Sequence, residues 1–221
     1  MKLVWSPEIA AKALVDTVKS CKLFDGSSVA ELISAMAAGW NAKLIVETWS
    51  LGDMAATSIG LSIASVHTCG KHVCIVPDEE TKVAYTSVLK NAGMSPEVIV
   101  GEPEDVVKGL VIDFLVVDGR KNNFGRVVTA AKFGVRGAVL VCKNACLMST
   151  DGYGPLRRLF EGGSRRVVRS VLLPVGHGLD IAYVAAGESG SGSVSGSDKV
   201  KKSRWVRRVD RRSGEEFMFR K

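Results

Sequence analysis

The chain has 221 residues, is 46% hydrophobic and carries a formal net charge of +7, which suits one α/β domain with a sizeable core and is too short for two full ones. Its first residues form no apolar signal core and no apolar run reaches the ~18 residues of a membrane helix, so a soluble, unsecreted, cytoplasmic or nuclear protein with no membrane partner is expected. The charge is unevenly placed: ten basic residues stand against three acidic ones from Lys199 to Lys221, while residues 1–198 hold twenty of each.

Ser6-Pro7-Glu8 opens a helix with a capping hydroxyl, proline at its first position and an acid in its first turn, and Ile9, Ala13, Leu14 and Val18 carry it toward Cys21. Ser27-Ser28 begins a second helix whose Val29, Leu32, Ile33, Met36 and Ala37 make one apolar face up to Gly39. Strands then alternate with helices: Lys43 to Thr48, helix Asp53 to Ser65; His72 to Val76, helix Asp78 to Asn91; Glu97 to Val100, helix Pro103 to Leu110; Ile112 to Asp118, helix Asn123 to Lys132; Gly137 to Cys142. Short links and continuous Val/Ile/Leu strands predict a Rossmann-like α/β fold, a mostly parallel seven-stranded sheet covered on both faces. Arg166 to Val175 and Leu179 to Ala185, joined by Gly176-His177-Gly178, predict a final antiparallel hairpin. The expected domain spans residues 1–186, a Gly/Ser linker 187–198 and a basic extension 199–221.

Five cysteines without a Cys-x-x-Cys pair and three unclustered histidines read as reduced core thiols and argue against a zinc site. The strand ends carry more chemistry. In an open parallel sheet the ligand crevice lies at the carboxyl ends of the strands, and the run Val-Ile-Asp-Phe-Leu-Val-Val-Asp delivers Asp118 there. Glu47-Thr-Trp-Ser-Leu-Gly52-Asp53 follows the first strand, where a Gly turn feeding a helix lets a ligand approach the backbone. There is no Gly-x-Gly-x-x-Gly, which counts against a nicotinamide dehydrogenase.

In this order the chain resembles the class I S-adenosylmethionine-dependent methyltransferases, closest to the catechol and caffeoyl-coenzyme-A O-methyltransferases. Those enzymes place an acid and a Gly-rich turn after the first strand, a ribose-binding acid after the second, a Gly-acid step after the third and Asp-x-x-Lys after the fourth. This chain has Glu47 with Gly52, Asp78, Gly101-Glu102, and Asp118 with Lys121. The resemblance runs from about Val29 to Ala185, and the Trp-Ser-Pro opening also resembles a plant methyltransferase-like family of unknown function. It implies S-adenosylmethionine (SAM) as cofactor, held by Glu47, Gly52, Asp78, Glu102 and Asp118, with Lys121 as the catalytic residue near the acceptor; an exposed helix-start lysine is the plainer reading of Lys121.

Departures from the pattern matter too. Trp49 stands where the first glycine belongs, the turn is one residue short, and Val76 holds the position of the ribose acid. The resembling enzymes hold a divalent cation through the Asp after the fourth strand and an Asp-Asn pair after the fifth; here the pair is Lys143-Asn144. A lysine removes a ligand and adds a charge, so no metal is expected and any transfer is metal-independent. Lys121 and Lys143 together would lower the pKa of an acceptor group, or the transfer site has been repurposed.

The basic tail supports an alternative: a non-catalytic protein on this scaffold that binds nucleic acid or an acidic partner through Lys199 to Lys221, with Trp205 stacking on a base. A localisation signal, or a terminal hairpin pairing Arg204 to Val209 with Glu216 to Phe219, competes with it.

Overall fold

The inner strands of the central sheet are apolar on both sides, and in the computed structural model of the chain both of their sides are covered. The described residues are 5–22, 24, 26–146, 154–160 and 167–185, with 147–148, 205–209 and 216–220 described by backbone alone. The chain divides into two compact units, Met1–Gly187 and Glu188–Lys221.

In the first unit, helices α1 (Pro7–Ser20) and α2 (Ser27–Gly39) precede strand β1 (Leu44–Thr48). Helix α3 (Ala55–Thr68), β2 (Lys71–Val76), α4 (Glu79–Asn91), β3 (Glu97–Val100) and the short α5 (Pro103–Val106) follow. Next come β4 (Val111–Ile112), β5 (Phe114–Asp118), α6 (Phe124–Ala130), β6 (Lys132–Phe133) and β7 (Ala138–Lys143). Helix α7 (Pro155–Phe160) and the strands β8 (Val167–Leu173) and β9 (Leu179–Val184) complete the unit. The sheet order is β3-β2-β1-β5-β7-β9-β8, parallel except for β9, which runs antiparallel to both neighbours. The expected Rossmann-like sheet with a final antiparallel hairpin is the observed one.

Side chains alternate across the sheet with period two. Phe114 and Val116 join Ile45, Val139 and Val141 under α1 to α4, while Leu115 and Val117 join Val46 and Leu140 under α6 and α7. Position parity therefore decides where each strand-end group goes: Glu47, Asp118 and Lys143 all belong to the α1–α4 face.

Several boundaries differ from the sequence reading for identifiable reasons. Gly26, at φ +77, rather than a serine, precedes α2. The helix expected from Asp53 begins at Ala55, because the Asp53 carboxylate accepts the Ser50 N–H at 2.9 Å and holds a turn ahead of it. The helix expected over Pro103 to Leu110 stops at Val106 and tightens into a 3-10 turn over Val107–Gly109. Asp113 splits the expected Ile112 to Asp118 strand: its carboxylate accepts the N–H groups of Lys43 and Leu44 at 2.8 and 3.2 Å, and β4 pairs instead with β6. Three of the five cysteines are buried, but Cys69 and Cys146 are exposed, so not all are core thiols.

No helix among the described residues is long and apolar enough to cross a membrane. In the second unit β10 (Trp205–Val209) pairs antiparallel with β11 (Glu216–Arg220), Trp205 opposite Arg220. The linker expected over 187–198 and the side chains of the basic extension lie outside the described residues.

Candidate functional site

The carboxyl ends of β1, β5 and β7 open onto a cleft of about 530 Å³, lined among others by Gly52, Asp53, Asp118, Arg120, Lys143 and Asn144 and closed on one side by hairpin residues 175–179. This volume is in the range of small-molecule sites. The cleft lies where the chain order reverses, between β1 and β5, the position at which open α/β sheets bind ligands.

Gly52 sits at φ +88, and no heavy atom lies within 4 Å of the place a Cβ would occupy. The turn after β1 thus presents bare backbone to the cleft, in a conformation that favours glycine. Across from it, the hairpin is fastened to the turn after β7 by Ala145 N–H to Gly178 O at 3.0 Å and Cys146 N–H to His177 O at 3.1 Å.

Asp118 ends β5 and is 1% exposed. The Asp-Gly-Arg sequence folds back as an Asx turn, so the Arg120 N–H donates to Asp118 Oδ1 at 2.9 Å. The guanidinium then donates from Nε to both oxygens at 3.1 Å and from Nη2 to Oδ2 at 2.7 Å, and Asn144 Nδ2 donates to Oδ2 at 2.8 Å. Asn144 reaches it from φ +57, a left-handed conformation that asparagine tolerates better than most residues. Burial pushes the Asp118 pKa up, but these donors and the Lys143 charge hold it below the usual carboxylate range. Arg120 Nη2 also reaches Asp53 Oδ1 at 2.8 Å, bridging two carboxylates whose side chains are 1% and 2% exposed.

These residues do not fit a divalent cation. Both Asp118 oxygens are filled by nitrogen donors, and Lys143, its register partner across β5 and β7, places an ammonium where a carboxylate ligand would be needed. Among the described residues no group of three or more His, Cys, Asp or Glu is placed to hold a metal ion.

The other expected cofactor residues are placed differently. Glu47 is fully buried under α3 and α4: its Oε1 receives the Tyr85 hydroxyl at 2.8 Å and lies 3.1 Å from His72 Nε2, whose Nδ1 meets Ser62 Oγ at 2.9 Å. Burial pushes its pKa up, yet His72 and the more distant Lys143 charge hold it below the ordinary glutamate value. Glu47 shares the face of Asp118 and Lys143 but does not line the cleft, because in register it stands level with Val116, two residues below the strand-end Asp118, and is covered by the core. Trp49 is 5% exposed and packs edge-on against Tyr85 with ring centroids 5.2 Å apart, so the turn is built over an indole.

Asp78 caps α4, its Oδ1 accepting the Thr81 N–H at 2.7 Å, and that backbone bond lowers its pKa. Glu102 is exposed at the start of α5. Lys121 starts the turn before α6, its N–H donating to Asp118 O at 3.1 Å, and it is not among the residues lining the cleft. Of the six residues singled out from the sequence, the structure brings Gly52 and Asp118 together. Capping makes a separate expectation for Asp78: Asp78→Ala lowers the melting temperature by a few degrees while Asp78→Ser keeps it, and neither changes affinity for S-adenosylhomocysteine (SAH). Loss of SAH affinity in Asp78→Ser, measured by calorimetry, would return Asp78 to the site.

Sequence reasoning missed Arg120, although Asp-Gly-Arg after a strand carries the Asx-turn signal. It also missed Asp180, which no local pattern marks: it sits inside β9, is 1% exposed, accepts the Leu156 N–H at 2.7 Å and has its pKa raised by burial.

A family model described as "Protein of unknown function (DUF1442)" matches residues 1–221. No curated protein matches the chain. Among solved structures the chain is similar to the O-methyltransferase TomG from Streptomyces achromogenes in complex with SAM, at 23% identity over 79% of this chain and 90% of that one, TM-score 0.55. It is similar to the SAH-bound Podospora anserina methyltransferase PaMTH1 at 16% identity over 79% and 87%, TM-score 0.53. It is also similar to an O-methyltransferase from Bacillus cereus in complex with SAH at 17% identity over 82% and 93%, TM-score 0.53. At these identities the likeness is one of fold, that of the Rossmann-like methyltransferases.

Proposed function

We propose, for a chain that belongs to the DUF1442 family of proteins of unknown function, that the cleft binds SAM or SAH and serves metal-independent methyl transfer. The observation that carries this reading is the bare Gly52 turn facing Asp118 across the switch point of a sheet whose structural neighbours were crystallised with SAM or SAH. The residues present fit the methionine-bearing end of such a ligand better than its ribose: Gly52 leaves room for backbone approach, while Val76 is buried and Asp78 is committed to its helix cap. Bound there, SAM would supply an activated methyl group. Arg120 would keep Asp118 ionised and oriented as one wall, and the 175–179 hairpin would limit water from the other side. Lys121, expected from the resemblance to act on the acceptor, has no such support; Lys143 lies in the cleft instead.

The test uses the open space beside Gly52. Gly52→Val puts a branched side chain into it and strains the turn, and should weaken SAH binding at least tenfold in calorimetry while the protein stays folded. Equal affinity in a folded Gly52→Val variant would place the cofactor elsewhere.

A further inference from the structure

Lys143 is 7% exposed and lines the cleft, yet its ammonium has no hydrogen bond or ion pair among the described residues. Its register partner Asp118 is turned away onto Arg120 and Asn144, and Glu47, one strand further over, is occupied by Tyr85 and His72. Lys143 lends both carboxylates a favourable charge but bonds to neither. An ammonium has three protons to donate, and leaving them unmet in a buried place is costly. The cleft is the side from which a partner can reach it.

We infer that Lys143 is the anchor for a carboxylate on the molecule that occupies the cleft beside the cofactor; the carboxylate's role as methyl acceptor rests on the function proposed above, its binding does not. A carboxylate is favoured over a neutral hydroxyl by the groups around it. Both acids lining the cleft are bound to Arg120, and Asp118, held ionised, already accepts five donor contacts. His177, on the exposed hairpin, is the remaining base along the lining. A carboxylate has no proton to lose: its oxygen gains the methyl carbon as the donor's carbon–sulfur bond breaks, the electron pair stays on sulfur, and a neutral ester and thioether result. Such an acceptor needs a cation to hold it and no base. Lys143 is that cation, standing where the resembling enzymes keep a metal ligand.

The experiment measures binding of sodium benzoate, sodium acetate and the neutral isostere benzamide to the full chain by thermal shift and calorimetry, with and without SAH. Benzoate or acetate should stabilise the wild-type protein saturably and benzamide should not. Lys143→Met should weaken the carboxylate response tenfold or more, while Lys143→Arg keeps much of the response. Benzamide matching benzoate, a carboxylate response unchanged in Lys143→Met, or no response to either carboxylate at tens of millimolar would overturn the inference. Should Lys143→Met fail to fold, Lys143→Gln and the wild-type contrast between benzoate and benzamide decide it. A Lys143-dependent carboxylate response without SAH binding would remove the cofactor and keep the anchor; SAH binding without a carboxylate response would do the reverse.

Discussion

Arg120→Met should lower the stability of the ligand-free protein by about 3 kcal/mol at pH 7, or roughly 6 to 12 °C in melting temperature for a body of this size. The variant strands two carboxylates whose side chains are 1% and 2% exposed, Asp118 and Asp53, and each now lacks its main cation. Removing one partner of a buried pair typically costs 3 to 5 kcal/mol, and the lower end applies because the guanidinium itself is 47% exposed and screened by water. The acid dependence follows from the direction of the Asp118 shift. Its folded pKa is depressed, so the contribution is present above the unfolded value near ~3.9 and is lost as pH falls through the folded one. The gap between wild type and variant should therefore be full at neutral pH and narrow in acid. Arg120→Lys should fall between them, since a point charge cannot bridge both acids with the geometry of the planar fork. Melts at pH 7 and at about pH 2.5, below the unfolded value, check this; identical melting of Arg120→Met and wild type at pH 7 would show that the bridge is not structural.

Tyr85→Phe should cost about 2 kcal/mol by removing the hydrogen bond to the buried Glu47 carboxylate without leaving a cavity. Glu47 Oε2 already lacks a partner, so Oε1 depends on Tyr85 and on its 3.1 Å approach to His72. Glu47→Gln should cost less, because an amide oxygen still accepts from Tyr85 and no charge is left in the core. The same pair of variants separates a core role from a ligand role. A core Glu47 predicts losses of stability with SAH affinity nearly unchanged; a Glu47 that contacted ligand would give the opposite pattern, a stable Glu47→Gln protein that no longer binds SAH. Because the folded Glu47 pKa is lowered, its contribution is held above the unfolded value near ~4.3 and disappears as pH falls through the folded value.

The sheet was legible because its strands are continuous apolar runs that need cover on both faces, and Phe114–Asp118 and Ala138–Lys143 ended within a residue of the expected places. Caps were partly legible. Proline at the start of α1 marked its helix, whereas Asp78 looked like a ribose ligand because one acid after a strand reads the same whether it caps the next helix or meets a cofactor. The site was half legible. Asp118 and Gly52 are where strand ends and Gly turns belong, but whether Glu47 reaches the rim depends on the register between β1 and β5, which sets it level with Val116 rather than with Asp118 and which no local pattern shows. Lys143 showed itself as a departure from a metal-binding pattern, though not as an unpartnered ammonium, since that follows only from where Arg120 and Asn144 send their donors. Asp180 depends on the Leu156 N–H, 24 residues away in the chain, and distant pairings of that kind leave no local trace.

Isothermal titration of the full chain with SAH, backed by SAM, is the most direct measurement of whether this cleft is a cofactor site. A saturable heat at one site per chain below millimolar ligand, weakened at least tenfold by Gly52→Val, is the predicted result; no heat and no thermal shift with either ligand at millimolar concentration would contradict it.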